Sequence, residues 1–143
     1  MILATLAALY LYATGPQHAA VLAAPEIVCI TAAVYTEAEG EPYIGKLAVA
    51  AVVRARAERA NTSPCAVVTA RRQFSGLGRR VDTVHIGALL ESLGAARASA
   101  LSTAPVPECA GATHFDNNSR AAWTLKLTRV CRISKHTFYR SNT

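Results

Sequence analysis

A chain of 143 residues is long enough for one domain with its own core, and a composition that is 52% apolar but only 6% aromatic favours helices packed through small side chains over an aromatic-rich sandwich or barrel. Fifteen Lys and Arg against nine acids, a net charge of +6, imply attraction to an anionic polymer or surface. A nucleic-acid-binding module would need an aromatic-and-basic platform, zinc-ligand spacing or a helix-turn-helix pattern; the sequence shows none of them, so nucleic acid is not the expected partner.

Residues 1–24 carry no charged side chain. The apolar run Met1–Ala13 resembles the core of an export signal but lacks the preceding Lys or Arg. As one helix the stretch would span about 36 Å, enough for a bilayer, yet Gly15-Pro16 should break it. Two readings stand: an export element with transient membrane association, or an apolar helix packed on a domain of residues 25–143. Pro25 then suits a first turn, and Ile27, Val28, Ile30, Ala33 and Val34 give an apolar face, so a helix is expected over 25–39, ended by Gly40 and Pro42. Pro42 opens a second helix to Arg59, with Ile44, Leu47, Ala48, Ala51 and Val52 at helical spacing. Ser63-Pro64 reads as a cap and first residue of a short helix to Ala70, and a further helix starts near Asp82, interrupted by Gly87 and Gly94. After Pro105 and Pro107 the texture changes. From Thr113 onward, alternation at Leu125 and Leu127 and at Cys131 and Ile133 predicts two or three short antiparallel strands.

Four cysteines, Cys29, Cys65, Cys109 and Cys131, form no CxxC pair and have no His at ligand spacing, which argues against a metal site. They are either buried thiols or two disulfides of an oxidising compartment, with three pairings open. Placement on the expected elements favours Cys109 with Cys131, because Cys109 precedes the first expected C-terminal strand and Cys131 lies in a later strand that could pair beside it, and Cys29 with Cys65, each on a helix, at or near the one expected over 25–39.

The chain gathers Glu37, Glu39 and Glu41 into one turn. Glu37 falls in the last turn of the first helix, at the negative end of the macrodipole, with two like charges close by. These effects, with shielding by Val34 and Tyr35, disfavour its ionisation, and a carboxyl that keeps its proton near neutral pH is what a general acid requires. The alternative is a solvated acidic turn at a helix end.

Three segments, "YTEAEGEPYIGKLAVAAVVRARA", "CAVVTARRQFSG" and "GATHFDNNSRAAWTLKLTRVCRISKHTFYR", resemble in order the signature blocks of the spore-cortex-lytic cell wall hydrolase family (SleB/CwlJ type) over residues 29–140. The chain departs at Gly76, where relatives often carry Trp, and at Ser134, where they often carry Gly. The resemblance implies an α+β fold, a mainly helical lysozyme-like domain with a small C-terminal antiparallel sheet. It also implies an exported enzyme of bacterium or phage that cleaves peptidoglycan between N-acetylmuramic acid and N-acetylglucosamine, with Glu37 as the catalytic acid and no cofactor. A lytic transglycosylase needs that one carboxyl; a muramidase needs a second, for which Glu41 and Asp116 are the candidates. Substrate contacts are expected from Gln73, Phe74 and Ser75, and from Thr113, His114 and Tyr139, although Phe74, His114 and Tyr139 suit packing equally well. Trp123 offers a further ring for stacking. Arg71, Arg72, Arg79 and Arg80 form a basic cluster suited to an anionic envelope or to solvent. A different class remains open, a non-catalytic peptidoglycan-binding or phage structural component that kept the fold and lost the activity.

Overall fold

The computed structural model describes residues 24–70, 74, 85–102, 104–117 and 121–143. The N-terminal segment up to residue 23, Gln73, Ser75, Gly76 and the four clustered arginines therefore lie outside the described residues. No described helix is long and apolar enough to cross a membrane.

Pro25 lies in the first turn of α1 (Ala24–Ala38), where its missing N–H has no helical partner to lose. From Ile27 to Tyr35 every residue is buried, so α1 is apolar on all sides and runs through the core. The one hydroxyl in that run, on Thr31, is satisfied by donating to the Ile27 carbonyl at 2.7 Å. Pro42 caps α2 (Tyr43–Arg59) in an extended conformation. This helix packs on α1, on α3 (Pro64–Thr69) and on α4 (Ile86–Ala100), and touches the sheet through β1 (His114–Asp116). It is buried more widely than its expected face: Lys46, Val49, Ala50 and Val53 are inside, and Ile44 is outside. With neighbours on several sides, no single stripe describes it. Asn61, in the left-handed region at φ 48°, ends it, with its N–H bonded to the Glu58 carbonyl and that of Thr62 to the Ala57 carbonyl. The Ser63 hydroxyl accepts from the Ala66 N–H at 3.1 Å and starts α3.

Neither Gly87 nor Gly94 interrupts α4, contrary to expectation. Packing outweighs the propensity cost, since Leu89, Leu93, Ala95 and Ala96 are buried against the other helices and the Tyr43 ring stands 3.9 Å from where a Gly94 Cβ would be. The sheet has order β1-β3-β2, all antiparallel, with β2 at Thr128–Ile133 and β3 at His136–Arg140. Its register aligns Phe115, Phe138 and Cys131 in one row, and Phe138 is fully buried in the helical core. Irregular pairing between Arg129 and Cys131 leaves Arg129 opposite Tyr139 and Arg132 opposite Thr137. Ser134, the first of the two residues in the β2–β3 turn, has φ 49°, a conformation in which glycine is the favoured residue. The expected strand at Leu125 and Leu127 is not formed: Ala122–Lys126 is a 3-10 helix, with Thr124 as its buried residue and Leu125 86% exposed. That alternation never met a core.

Disulfides join Cys29 on α1 to Cys65 on α3, and Cys109 in a 3-10 turn (Pro107–Cys109) to Cys131 on β2, with Cα separations of 5.1 and 5.2 Å. Alkylation of the native, unreduced protein should therefore label no cysteine, by intact mass. Reduction should lower stability by about 2–4 kcal/mol per bridge, read from unfolding with and without reductant.

Candidate active site

The acidic turn is built from the end of one helix and the start of the next. The Glu41 N–H bonds the Ala38 carbonyl at 3.0 Å, closing the turn after α1, and Pro42 then starts α2. The C-terminal carbonyls of a helix need donors, and here the donor is a buried lysine. The Lys46 ammonium, whose side chain is only 2% exposed, donates to the Glu39 carbonyl at 3.0 Å and the Glu41 carbonyl at 2.6 Å, and pairs with Glu91 of α4 at 3.2 Å. Three acceptors around one ammonium make its burial tolerable. The same turn is held from a third side: His85, the N-cap of α4, donates its main-chain N–H to the Tyr35 hydroxyl at 3.2 Å and faces Glu39 at 2.9 Å through Nδ1.

The three clustered glutamates occupy three environments. Glu37 is half-buried, between the buried Tyr35 and Ala38. Glu39 is exposed and paired with His85. Glu41 is 7% exposed and accepts the Lys135 N–H through Oε2 at 3.3 Å.

The remaining candidates divide. Thr113 is buried; its hydroxyl accepts from the Ser141 N–H at 3.1 Å and shares a hydrogen bond with His114 Nδ1 at 2.9 Å. His114, Trp123 and Tyr139 form one aromatic cluster, Trp123 lying 5.9 Å from each of the other two rings. Tyr139 is buried, so the partly exposed Trp123 is the open member. Phe74 is 6% exposed in the core, with the Arg56 guanidinium 5.9 Å from its ring centre, a setting that suits the core-plug reading. Asp116 is half-buried, and its buried Oδ2 has no hydrogen-bond partner among the described residues. Among the described residues no His, Cys, Asp and Glu cluster could hold a metal ion.

The sequence reading passed over Lys46 and His136. A lone lysine within "IGKLAVAAVV" was the available signal, because an ammonium in an apolar helix must find acceptors. For His136 the signal was its place as the His of the "HTFYR" ending in the third block. Its imidazole is held below the ordinary value of 6.5 by burial, opposed by Glu41 and Asp116. That of His114 is lowered by burial and then by Arg56 and Arg59, in the last turn of α2.

The sequence profile of the cell wall hydrolase family matches residues 40–139, most of the chain. The chain belongs to the cell wall hydrolase family. This cell wall hydrolase is similar in structure to the catalytic domain of the germination-specific lytic transglycosylase SleB from Bacillus anthracis, with a TM-score of 0.62 and 27% identity over 80% of this chain and 93% of that one. It also resembles the SleB catalytic domain from Bacillus cereus, at 0.58 and 28% over 80% of this chain and 89% of that one. Comparison with curated proteins finds no match. The helical domain with a three-stranded antiparallel sheet is the fold of these relatives, and the chain is an enzyme that degrades the cell wall. The profile match starts at Gly40, so it takes in Glu41, Asp116, His114 and Tyr139 while Glu37 precedes it by three residues.

Lys46→Met should strand two carbonyls and cost about 2–4 kcal/mol in urea unfolding. Glu91→Gln should cost less than about 1 kcal/mol, because the Glu91 side chain is 57% exposed. The two lowered histidines set a pH dependence. An unfolded chain takes up protons near pH 6.5 while the folded rings stay neutral. Their contribution to stability is therefore complete above that pH and is lost as pH falls through the folded-state values. His114→Asn should flatten the acid limb of a stability curve measured between about pH 5 and 7.5.

Proposed function

We propose that this cell wall hydrolase is a lytic transglycosylase that cleaves peptidoglycan glycan strands between N-acetylmuramic acid and N-acetylglucosamine, with Glu37 as sole acid and base. The observation that carries this reading is the placement of Glu37 in the last turn of α1, half-buried between the buried Tyr35 and Ala38, where the helix end and partial desolvation favour a carboxyl that keeps its proton. In the reaction Glu37 gives its proton to the glycosidic oxygen as the bond to the muramic C1 breaks. The muramic 6-hydroxyl then attacks C1, and its proton returns to the Glu37 carboxylate. One carboxyl completes the cycle without water, and both solved relatives are SleB catalytic domains, that from Bacillus anthracis a germination-specific lytic transglycosylase. The two disulfides suit a chain exported to an oxidising cell envelope.

Glu37→Gln keeps the shape but has no proton to give, and should reduce release of glycan fragments from purified cell walls by at least about 10²-fold while leaving circular dichroism unchanged. Glu39→Gln is the control and should stay within about tenfold of the parent. Fragments should end in 1,6-anhydro-muramic acid by mass spectrometry. Reducing muramic ends, heavier by one water, would instead indicate a muramidase using Asp116 as the second carboxylate. A parent protein that binds walls but releases nothing would indicate a binding component.

A further inference from the structure

Of the three clustered glutamates only Glu41 is buried, and a buried carboxylate must be matched by donors. Its Oε2 takes the main-chain N–H of Lys135 at the tip of the β2–β3 turn, 94 positions along the chain, at 3.3 Å. Its own carbonyl takes the Lys46 ammonium. The approach is close. A Cβ on Gly45 would stand 3.3 Å from the Glu41 Cβ and 3.4 Å from Ile133 Cγ2, so glycine is what lets the turn, the hairpin and α2 meet. Beside this contact lies the buried ring of His136, tilted by 59° against Phe115 at 5.1 Å and edge-on to Phe138 at 6.1 Å. The charged groups that bear on that ring are Glu41 from the α1–α2 turn and Asp116 from β1. Both disulfides lie elsewhere, on α1–α3 and on the 3-10 turn and β2.

We propose that Glu41 is a positioning residue, not a second reacting carboxylate: by holding the Lys135 amide it pins the turn that follows Glu37 to the C-terminal sheet. The proposal rests on Glu37 being the acid and base. A reacting carboxylate must reach substrate, whereas that of Glu41 is enclosed and already occupied by a donor from the protein. Misplacing a reacting group by about 1 Å is enough to cost on the order of 10²-fold in rate, so a tie at this turn has kinetic weight without touching substrate.

The test compares Glu41→Gln and Glu41→Ala in the full chain. A glutamine carbonyl can accept the same N–H. Glu41→Gln should therefore keep kcat within about threefold of the parent, whereas Glu41→Ala should lose at least about tenfold in kcat with KM within about twofold. The Lys135 amide should stay protected from hydrogen exchange in Glu41→Gln and lose protection in Glu41→Ala. His136, deprived in both variants of a negative charge that raises its pKa, should titrate lower still by NMR. Equal inactivity of the two variants with Lys135 still protected in Glu41→Gln would overturn the proposal, because the charge or proton of Glu41 would then be part of the reaction. Unchanged Lys135 exchange in Glu41→Ala would overturn it as well. Should Glu41→Ala fail to fold, Gly45→Ala crowds the same contact with the carboxylate in place: loss of Lys135 protection together with a fall in kcat at unchanged KM supports the tie, and loss of Lys135 protection with parent-like kcat overturns it. Failure of the Glu37 assignment shows separately, as activity retained in Glu37→Gln, while Lys135 exchange needs no turnover.

Discussion

A single buried ammonium organises the centre of this molecule. Just past the end of α1, Lys46 reaches back from α2 to donate to the carbonyls of Glu39 and Glu41 in the turn between the two helices. Taking an ammonium out of water costs several kcal/mol, a cost offset only because two main-chain oxygens and the Glu91 carboxylate surround it. That arrangement sets the angle at which α1 gives way to α2 and draws α4 alongside. Together with the His85 contacts to Tyr35 and Glu39 and the Lys135 amide on Glu41, it holds the acidic turn against the rest of the molecule.

The surrounding core suits such a hub. α1, α2 and α4 meet largely through alanine and valine, which lets helices approach closely and gives little room for rearrangement. The two disulfides act at the margins, holding the short α3 to α1 and the 3-10 turn before β1 to β2. α3 spans only Pro64–Thr69, too short to hold itself as a helix, and the 3-10 turn at Pro107–Cys109 is shorter, so covalent ties fall where packing is thinnest. The sheet contributes Phe138 to the core and brings the Lys135 amide to the acidic turn.

Three glutamates within five positions take three physical roles because the backbone turns between them. Glu37 still belongs to α1, Glu39 swings out to solvent and His85, and Glu41 turns inward beneath the hairpin. A helix end in a protein usually reads as an electrostatic sink for cations. Here the cation is supplied to the backbone, and the acids are sorted by what else reaches them.

The amino-acid sequence by itself determined the order of the helices, the start of α2 at Pro42, the cap at Ser63, the mainly helical class and the acidic turn, because each is written in local chemistry: proline geometry, side-chain caps, apolar periodicity and motif spacing; the cysteine pairs stayed open until the structure placed Cys29 beside Cys65 and Cys109 beside Cys131. It did not determine which face of α2 is buried, whether glycines would break α4, or whether Leu125 and Leu127 lie in a strand, since each depends on what stands opposite. Phe74 shows the limit clearly: a lone aromatic in a polar loop sequence suits a sugar or a core equally, and its burial beneath Arg56 is visible only in the folded chain. The different environments of Glu37, Glu39 and Glu41 were likewise settled by partners 94 positions away at Lys135 and 46 positions away at His85, contacts that no local pattern encodes. Burial and hydrogen bonding are properties of neighbours in space, and those neighbours exist only once the chain has folded.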